Sequence, residues 1–244
     1  MAWIGPNQNQ SRAQAVPAGR VVTRSDEAAR TFLQRVYVYM SLGLAVTGLI
    51  GLSVASSPAA RQFVFGNPVV LIGVILAQLG LVFAFTPVAR RASVGVTAAM
   101  FFGYAALSGV TFSVIFLRYT AGSIGSTFII TGGTFAALSA YGAVTKRDLS
   151  SIGSFCMMGL FGLIIASVVN IFLGSPMLYW LTTFAGVLVF TGLTAYDTAK
   201  LKEIGAQGEV GEAQTKSALH GALVLYLDFI NLFLYLLRLL GRRR

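Results

Sequence analysis

Long intervals without a charged side chain constrain this sequence more than any other feature. About 20 apolar residues in a helix cross the core of a bilayer, and five uncharged intervals exceed that length. The fifth is long enough for two spans, and Gly174, Ser175 and Pro176 mark the break because proline lacks an amide donor. The intervals are 36–60, 62–89, 92–117, 119–145 and 149–196, and a further apolar stretch, 218–240, is interrupted only by His220, Asp228 and Arg238.

These stretches predict seven membrane-spanning helices, and the composition excludes an ordinary soluble domain. Only 11% of the residues are charged, against about a quarter in soluble proteins. The net charge of +10 indicates membrane orientation rather than nucleic-acid binding, because the basic residues lie between the apolar stretches. One cysteine and one histidine cannot form an internal disulfide or a two-histidine zinc site. We expect the lipid bilayer as a partner, and no nucleic acid.

The predicted organisation is one membrane domain with two polar ends. Residues 1–31 are polar and lack the apolar core of a secretory signal peptide, and Pro6, Pro17 and Gly19 oppose the amphipathic helix of a mitochondrial presequence. We predict a disordered cytoplasmic tail over 1–31, a seven-helix transmembrane domain over 32–241 and a basic tail over 242–244. The fold class is all-α, a polytopic membrane bundle of seven transmembrane helices.

The distribution of Lys and Arg predicts a cytoplasmic N-terminus. Seven spans place twelve of the 18 basic residues on the N-terminal side and six on the other, and the basic side of a membrane protein is usually cytoplasmic. The last helix is the weak point of this topology, because four of the six are Arg238, Arg242, Arg243 and Arg244. If that helix did not cross, the division would be sixteen against two.

Asp228 is the strongest candidate for a functional residue. A carboxylate at the centre of a bilayer costs about 2.5 to 3.5 kcal/mol on insertion scales, so its presence there indicates a role. Ten residues from Ala218 at 1.5 Å each place Asp228 roughly 15 Å into the last helix, near the midplane. Asn231 lies on the same helical face and gives Asp228 an amide neighbour one turn on.

Asp197 is the second candidate, at the end of the sixth span. Two interpretations remain open, since a charge at a helix end is often only an interfacial residue paired with a cation such as Lys200 or Lys202. Consecutive antiparallel helices, however, place the end of span six beside the start of span seven. The two carboxyl groups can meet only if span six continues past Tyr196 or span seven begins before Ala218.

Two motifs and the opening of the first span carry a resemblance to a known family. Asp197 lies in Ala-Tyr-Asp-Thr, residues 222–238 read Ala-Leu-Val-Leu-Tyr-Leu-Asp-Phe-Ile-Asn-Leu-Phe-Leu-Tyr-Leu-Leu-Arg, and residues 32–40 read Phe-Leu-Gln-Arg-Val-Tyr-Val-Tyr-Met. Over about residues 30–241 the sequence resembles the bacterial branch of the Bax-inhibitor (TMBIM) membrane family. The resemblance implies a central last helix, a location in the bacterial inner membrane, and a pH-sensitive calcium leak controlled by an aspartate pair, here Asp197 and Asp228.

The family pattern also has an arginine at the cytoplasmic end of the second span that can pair with the sixth-span aspartate. Arg90 and Arg91 both fit that position, and the sequence does not distinguish them. Two close carboxyl groups in a poorly solvated site cannot easily both ionise, so we expect them to share a proton and to repel each other when it is lost. With carbonyls and waters they would form a weak, transient Ca²⁺ site, as conduction requires. Ca²⁺ would be the transported ion, and no cofactor is expected.

Three alternatives start from the same residues. Tyr196-Asp197 fits one half of an intramembrane aspartyl protease, but Asp228 follows Leu-Tyr-Leu instead of the Gly-x-Gly of that family, so we do not expect an enzyme. The chain could instead modulate a membrane protease or another membrane partner through its N-terminal tail. A proton-coupled transporter is the third alternative, because intramembrane acids also serve proton relays. The pH-sensitive calcium leak is the function that the sequence favours.

Overall fold

The structure is a computed structural model that describes residues 18–244, with side chains from Ser25 onward. It contains eight helices and no named strand among these residues. The predicted tail over residues 1–17 lies outside the described part. In chain order the helices are α1 Ala18–Ser56, α2 Pro58–Phe65, α3 Pro68–Arg91, α4 Val94–Arg118, α5 Ala121–Val144, α6 Ser150–Leu173, α7 Pro176–Ala206 and α8 Gly211–Leu240.

Seven of these helices are long and apolar enough to cross a membrane, which confirms the predicted fold class. The exception is the short α2, which the sequence analysis did not separate from the second span. Ser57 accepts a hydrogen bond from the amide of Ala60 at the start of α2, and Asn67 caps the start of α3 by accepting from Val69. The second span therefore begins at Pro68 rather than near Gln62, because the Gly66-Asn67-Pro68 turn interrupts the helix.

The predicted boundary of the polar tail is wrong for the residues that the structure describes. Helix α1 begins at Ala18 rather than at Phe32, so residues 18–31 are not an unstructured segment. Ala29 and Phe32 are almost fully buried, and both lie against Gly205 near the end of α7. Burial of this apolar face against α7 extends the first helix beyond its membrane span.

Helix α8 lies at the centre of the bundle, as predicted. Half of the residues in its most apolar part are buried, whereas only 6% of the residues in the most apolar part of α3 are buried, so α3 is peripheral. It packs against α1, α3, α4, α5 and α7. We call the end of the bundle where α1, α4, α6 and α8 begin the N-side, and the opposite end the C-side. Because α8 runs the full depth, the C-terminus lies on the C-side.

Glycines set the closest helix approaches. A Cβ on Gly109 of α4 would lie 2.7 Å from the carbonyl oxygen of Thr47, and one on Gly43 of α1 would lie 2.6 Å from the Phe101 ring. Small residues that let backbones approach are what helix association in lipid requires. The sequence contains two stripes of small residues at four-residue spacing, and one of them, Gly43-Thr47-Gly51, lies at the α1–α4 contact. The stripe Gly132-Ala136-Ala140 does not pack in this way: Gly132 has no neighbour within 4 Å of such a Cβ, and both alanines are exposed.

Two connections fix the positions of helix ends, one between α6 and α7 and one after α8. Between α6 and α7, Gly174 has φ 59°, Ser175 caps α7 and Pro176 opens it, as the sequence predicts. On the C-side, the chain after α8 pairs with the α4–α5 turn. The amide of Thr120 donates to the carbonyl of Arg242 at 3.2 Å, and the amide of Arg244 donates to Arg118 at 2.9 Å. Residues 242–244 are therefore hydrogen-bonded to the bundle and do not form a free tail.

Candidate functional site

The candidate site lies between α7 and α8, where each helix contributes one carboxyl group. Both helices continue past their uncharged intervals, since α7 ends at Ala206 and α8 begins at Gly211. The overlap that the sequence analysis required for contact is therefore present at both helix ends. Gly221 and Tyr235, two turns before and after Asp228, also contact α7, at Leu201 and Gly186 respectively. The Asp228 face of α8 thus points toward α7.

The carboxyl groups of Asp197 and Asp228 are near enough to interact with each other across the α7–α8 contact. Asp228 is only 5% exposed, and Asp197 is half-buried. The Oδ2 atom of Asp228 is buried and has no hydrogen-bond donor among the described residues. Two ionised carboxylates have no proton to place between them, so this arrangement is favourable only when the pair carries at least one proton.

Buried apolar side chains lie one helical turn from the pair on both sides. Toward the N-side, Leu201 is buried and a methyl carbon lies 2.7 Å from a Cβ built on Gly221. Toward the C-side, Leu193 of α7 and Leu232 of α8 belong to one buried apolar cluster. Because water is excluded from these contacts, the pair has little solvent available to stabilise a second negative charge.

The cation that acts on Asp197 is Lys200, less than one helical turn away on α7. Lys200 is exposed, and its ammonium group lies 5.7 Å from the centre of the Tyr196 ring. Arg90 and Arg91 are exposed at the end of α3. Within the described part of the chain, neither arginine forms an ion pair with Asp197, so the structure does not bring the predicted arginine and aspartate together.

Asn231 does not use its amide group on Asp228. Its Nδ2 donates to the carbonyl oxygen of Leu227 at 2.8 Å, within α8 itself. The bond to its own helix directs the amide nitrogen along α8. The helical spacing correctly predicts that Asn231 and Asp228 share a face, but spacing alone does not determine which acceptor an amide selects.

A metal cofactor is not indicated by the arrangement of ligands. Among the residues that the structure describes, no group of three or more His, Cys, Asp or Glu side chains could hold a metal ion. Ca²⁺ usually takes about six to eight oxygen ligands, and two carboxylates supply at most four. The pair can therefore offer a cation a partial coordination shell that water and carbonyl groups would complete.

A cavity of about 380 Å³ opens on the N-side of the pair, which the sequence analysis did not predict. We call it the N-side cavity, and its polar lining includes Thr86, Arg90, Lys216, Ser217 and His220. His220 exchanges a hydrogen bond with Thr86 at 3.2 Å. Lys216 and His220 are four residues apart, which places them on one helical face and is the signal that could have identified the cavity.

A second polar feature lies on the other side of α8, toward α1 and α4. The Tyr226 and Thr47 hydroxyl groups are 2.7 Å apart, and Thr47 also donates to a backbone carbonyl, 2.9 Å away at Ala105 or 3.0 Å at Gly43. Thr47 has one hydroxyl proton, so Tyr226 is the donor in the bond between them. The sequence gives no signal that distinguishes Tyr226, with its buried hydrogen bond, from any other tyrosine in an apolar stretch.

Comparison with known proteins gives matches over most of the chain. Residues 29–244 match the family model described as "Inhibitor of apoptosis-promoting Bax1". The "Inner membrane protein YbhL" of Escherichia coli K12 is 46% identical over 230 residues, which cover 93% of this chain and 98% of that protein. An uncharacterized protein of Borreliella burgdorferi is 44% identical over 87% of this chain and 92% of its own length. An uncharacterized membrane protein of Streptococcus pyogenes is 32% identical over 91% of this chain and 97% of its own length.

Proposed function

Because the chain belongs to the Bax inhibitor family of membrane proteins, we propose that it is a pH-sensitive calcium leak channel of the bacterial inner membrane. The path runs between α7 and α8, and the proton shared by Asp197 and Asp228 controls it. The observation that carries the proposal is the approach of these two carboxyl groups inside the bundle, where one oxygen of Asp228 has no donor among the residues that the structure describes.

The proton count of the pair sets the force between α7 and α8. With one proton shared, the carboxyl groups attract each other and hold the two helices together. Without it, two negative charges repel in surroundings of low dielectric, where a charge pair interacts far more strongly than in water. A change of pH is thereby converted into a change in helix separation, and the two acids remain as cation ligands.

The apolar contacts on either side of the pair account for a closed path. Leu201 fills the space beside Gly221 on the N-side, and Leu193 and Leu232 belong to one buried apolar cluster on the C-side. An apolar constriction excludes a hydrated cation until its walls separate. We take this arrangement as the closed state of the proposed channel, and opening would require α7 and α8 to move apart at these leucines.

The proposal is tested by Ca²⁺ efflux from liposomes that contain the purified protein, measured at mildly acidic, neutral and mildly alkaline pH. We expect the wild-type flux to change with pH by up to about tenfold per unit, the limit for one titrating proton. Asp197→Asn and Asp228→Asn remove the ionisation but keep the side-chain volume, and each should abolish this pH dependence.

A matched control is Asp148→Asn, because Asp148 is an exposed acid on the same N-side that lies in the α5–α6 turn. This variant should retain the wild-type flux and its pH profile. An unchanged pH response in both the Asp197 and Asp228 variants would remove the carboxylate mechanism. Absence of Ca²⁺ flux from the folded wild-type protein at every pH would remove the channel itself.

A further inference from the structure

The N-side cavity lies among the ends of three helices and is basic. It is bounded by the end of α3, the end of α7 and the start of α8. Arg90, Lys216 and His220 face it, and none of the residues that line it is acidic. Both Arg90 and Lys200 act electrostatically on His220, which shows that several cationic groups are close together here.

The hydrogen bonds around the cavity leave Arg90 available. Lys216 donates to the carbonyl oxygen of Ala92 at 3.2 Å, and the hydroxyl of Ser217 donates to Glu209 at 2.7 Å. Glu209 thus places one negative charge beside Ser217, at the edge of the cavity, and does not bind Arg90. In the part of the chain that the structure describes, the Arg90 guanidinium has no acidic partner. A planar guanidinium without a partner, next to a second cation, favours an anion with several oxygens.

The surroundings of the cavity identify the class of anion. It lies at the end of the membrane-spanning part of α3, the depth at which lipid headgroups are found, and basic pockets between helix ends at this depth bind phosphate-bearing headgroups. The face of α3 that continues from the cavity toward the C-side is apolar and exposed, at 61% for Leu76, 51% for Leu79 and 78% for Phe83. Acyl chains can lie along this face while the phosphate reaches the basic residues.

We propose that the N-side cavity is a binding site for the phosphate headgroup of an anionic phospholipid, held by Arg90, Lys216 and His220. Arg90 supplies a bidentate donor pair, Lys216 a point charge, and His220 a ring nitrogen at the wall of the cavity. The site is separate from the aspartate pair, because the buried Leu201 and the α8 turns between His220 and Asp228 lie between them.

The test uses the full chain in nanodiscs of phosphatidylcholine that contain a minor fraction of phosphatidylglycerol. Native mass spectrometry counts the phosphatidylglycerol molecules retained, and the thermal midpoint reports stabilisation. The double variant Arg90→Gln and Lys216→Gln should retain phosphatidylglycerol about tenfold more weakly, as expected for loss of charge-assisted hydrogen bonds. The matched control is Lys146→Gln with Arg147→Gln, which removes the same charge from the exposed α5–α6 turn on the N-side and should behave as the wild type.

Equal retention in the two double variants would overturn the site and assign the binding to general attraction by the N-side charges. Arg90→Gln alone guards against misfolding, because no hydrogen bond of the described residues depends on its guanidinium. It should weaken binding with an unchanged circular dichroism spectrum. In a third arm, inorganic phosphate is added to pure phosphatidylcholine nanodiscs. Stabilisation by phosphate equal to that by phosphatidylglycerol would overturn the lipid assignment in favour of a soluble anion.

Discussion

Two polar side chains of α8 lie two residues apart and serve different neighbours. The carboxyl group of Asp228 faces α7, and the hydroxyl of Tyr226 faces Thr47 of α1. Positions two residues apart on a helix differ by about 200°, which directs the two groups to opposite sides. A carboxylate in an apolar stretch is visible in the sequence because its insertion is costly, whereas a tyrosine is not. For this reason the aspartate was predicted and the tyrosine was missed.

The buried Tyr226 hydroxyl should contribute to stability. We expect Tyr226→Phe to lower the free energy of unfolding by about 1 kcal/mol, since it removes one hydrogen bond but leaves Thr47 its backbone acceptors. Thermal unfolding in detergent measures the effect. Tyr141→Phe is the control, because Tyr141 is 46% exposed on α5. Equal midpoints for the two variants would show that the buried bond makes no net contribution.

Asp148, in the α5–α6 turn outside the membrane spans, gives a signed dependence on pH. Hydrogen bonds from Ser150, including its amide at 2.8 Å, hold the pKa of Asp148 below its usual value. Because the folded pKa is lowered, the ionised group stabilises the fold above the unfolded pKa, and this contribution is lost as pH falls through the folded value. NMR titration should show the pKa of Asp148 rising in Ser150→Ala, which loses the hydroxyl, and remaining unchanged in Ser151→Ala.

At the scale of helices, glycine position decides which faces pack, and the sequence predicts this only in part. Gly43 and Gly132 both occur in small-residue stripes, yet one contacts Phe101 and the other has open space around it. The spacing is the same for a face that meets lipid and a face that meets a helix. The number of membrane spans and the Gly174 turn were predictable because they depend on local chemistry. The short α2 was missed because the absence of charge was the only criterion applied to that interval.

The α5–α7 contact offers a comparison within one helix. A Cβ on Gly142 would overlap the backbone carbonyl of Ala195, and neither backbone can move without separating the helices. We expect Gly142→Ala to destabilise the protein by about 1 to 3 kcal/mol, the usual cost of overpacking. Gly133→Ala on the same helix meets nothing within 4 Å and should be neutral or slightly stabilising. Thermal midpoints of the two variants test this, and a reversed order would contradict the assigned packing.

For the whole molecule, the position of the chain after α8 restricts how the protein lies in a membrane. The chain after α8 pairs with the α4–α5 turn, so the weak point of the predicted topology is resolved within the bundle: the last helix crosses. The central position of α8 was implied by the family resemblance. The position of Arg90 was not predictable, because a long side chain at a helix end is placed by its neighbours rather than by its spacing.

The count of basic residues predicts that the N-side is cytoplasmic. In a Cys156→Ala background, Lys146→Cys places a thiol on the N-side and Gln62→Cys places one on the C-side; both positions are exposed. A membrane-impermeant maleimide added to intact spheroplasts should label the Gln62 variant and label the Lys146 variant only after lysis. Labelling of the Lys146 variant in intact spheroplasts would reverse the orientation.

The central position of α8 has a consequence for how the protein is made. The helix that five others pack against is made after all of them, since chains emerge from the ribosome N-terminus first. Membrane helices insert one by one and associate afterwards, so the earlier spans wait in the lipid without the surface on which most of them assemble. The bundle can therefore assemble fully only after α8 has been made, and a ribosome that stalls before Gly211 leaves six spans with an unfilled centre.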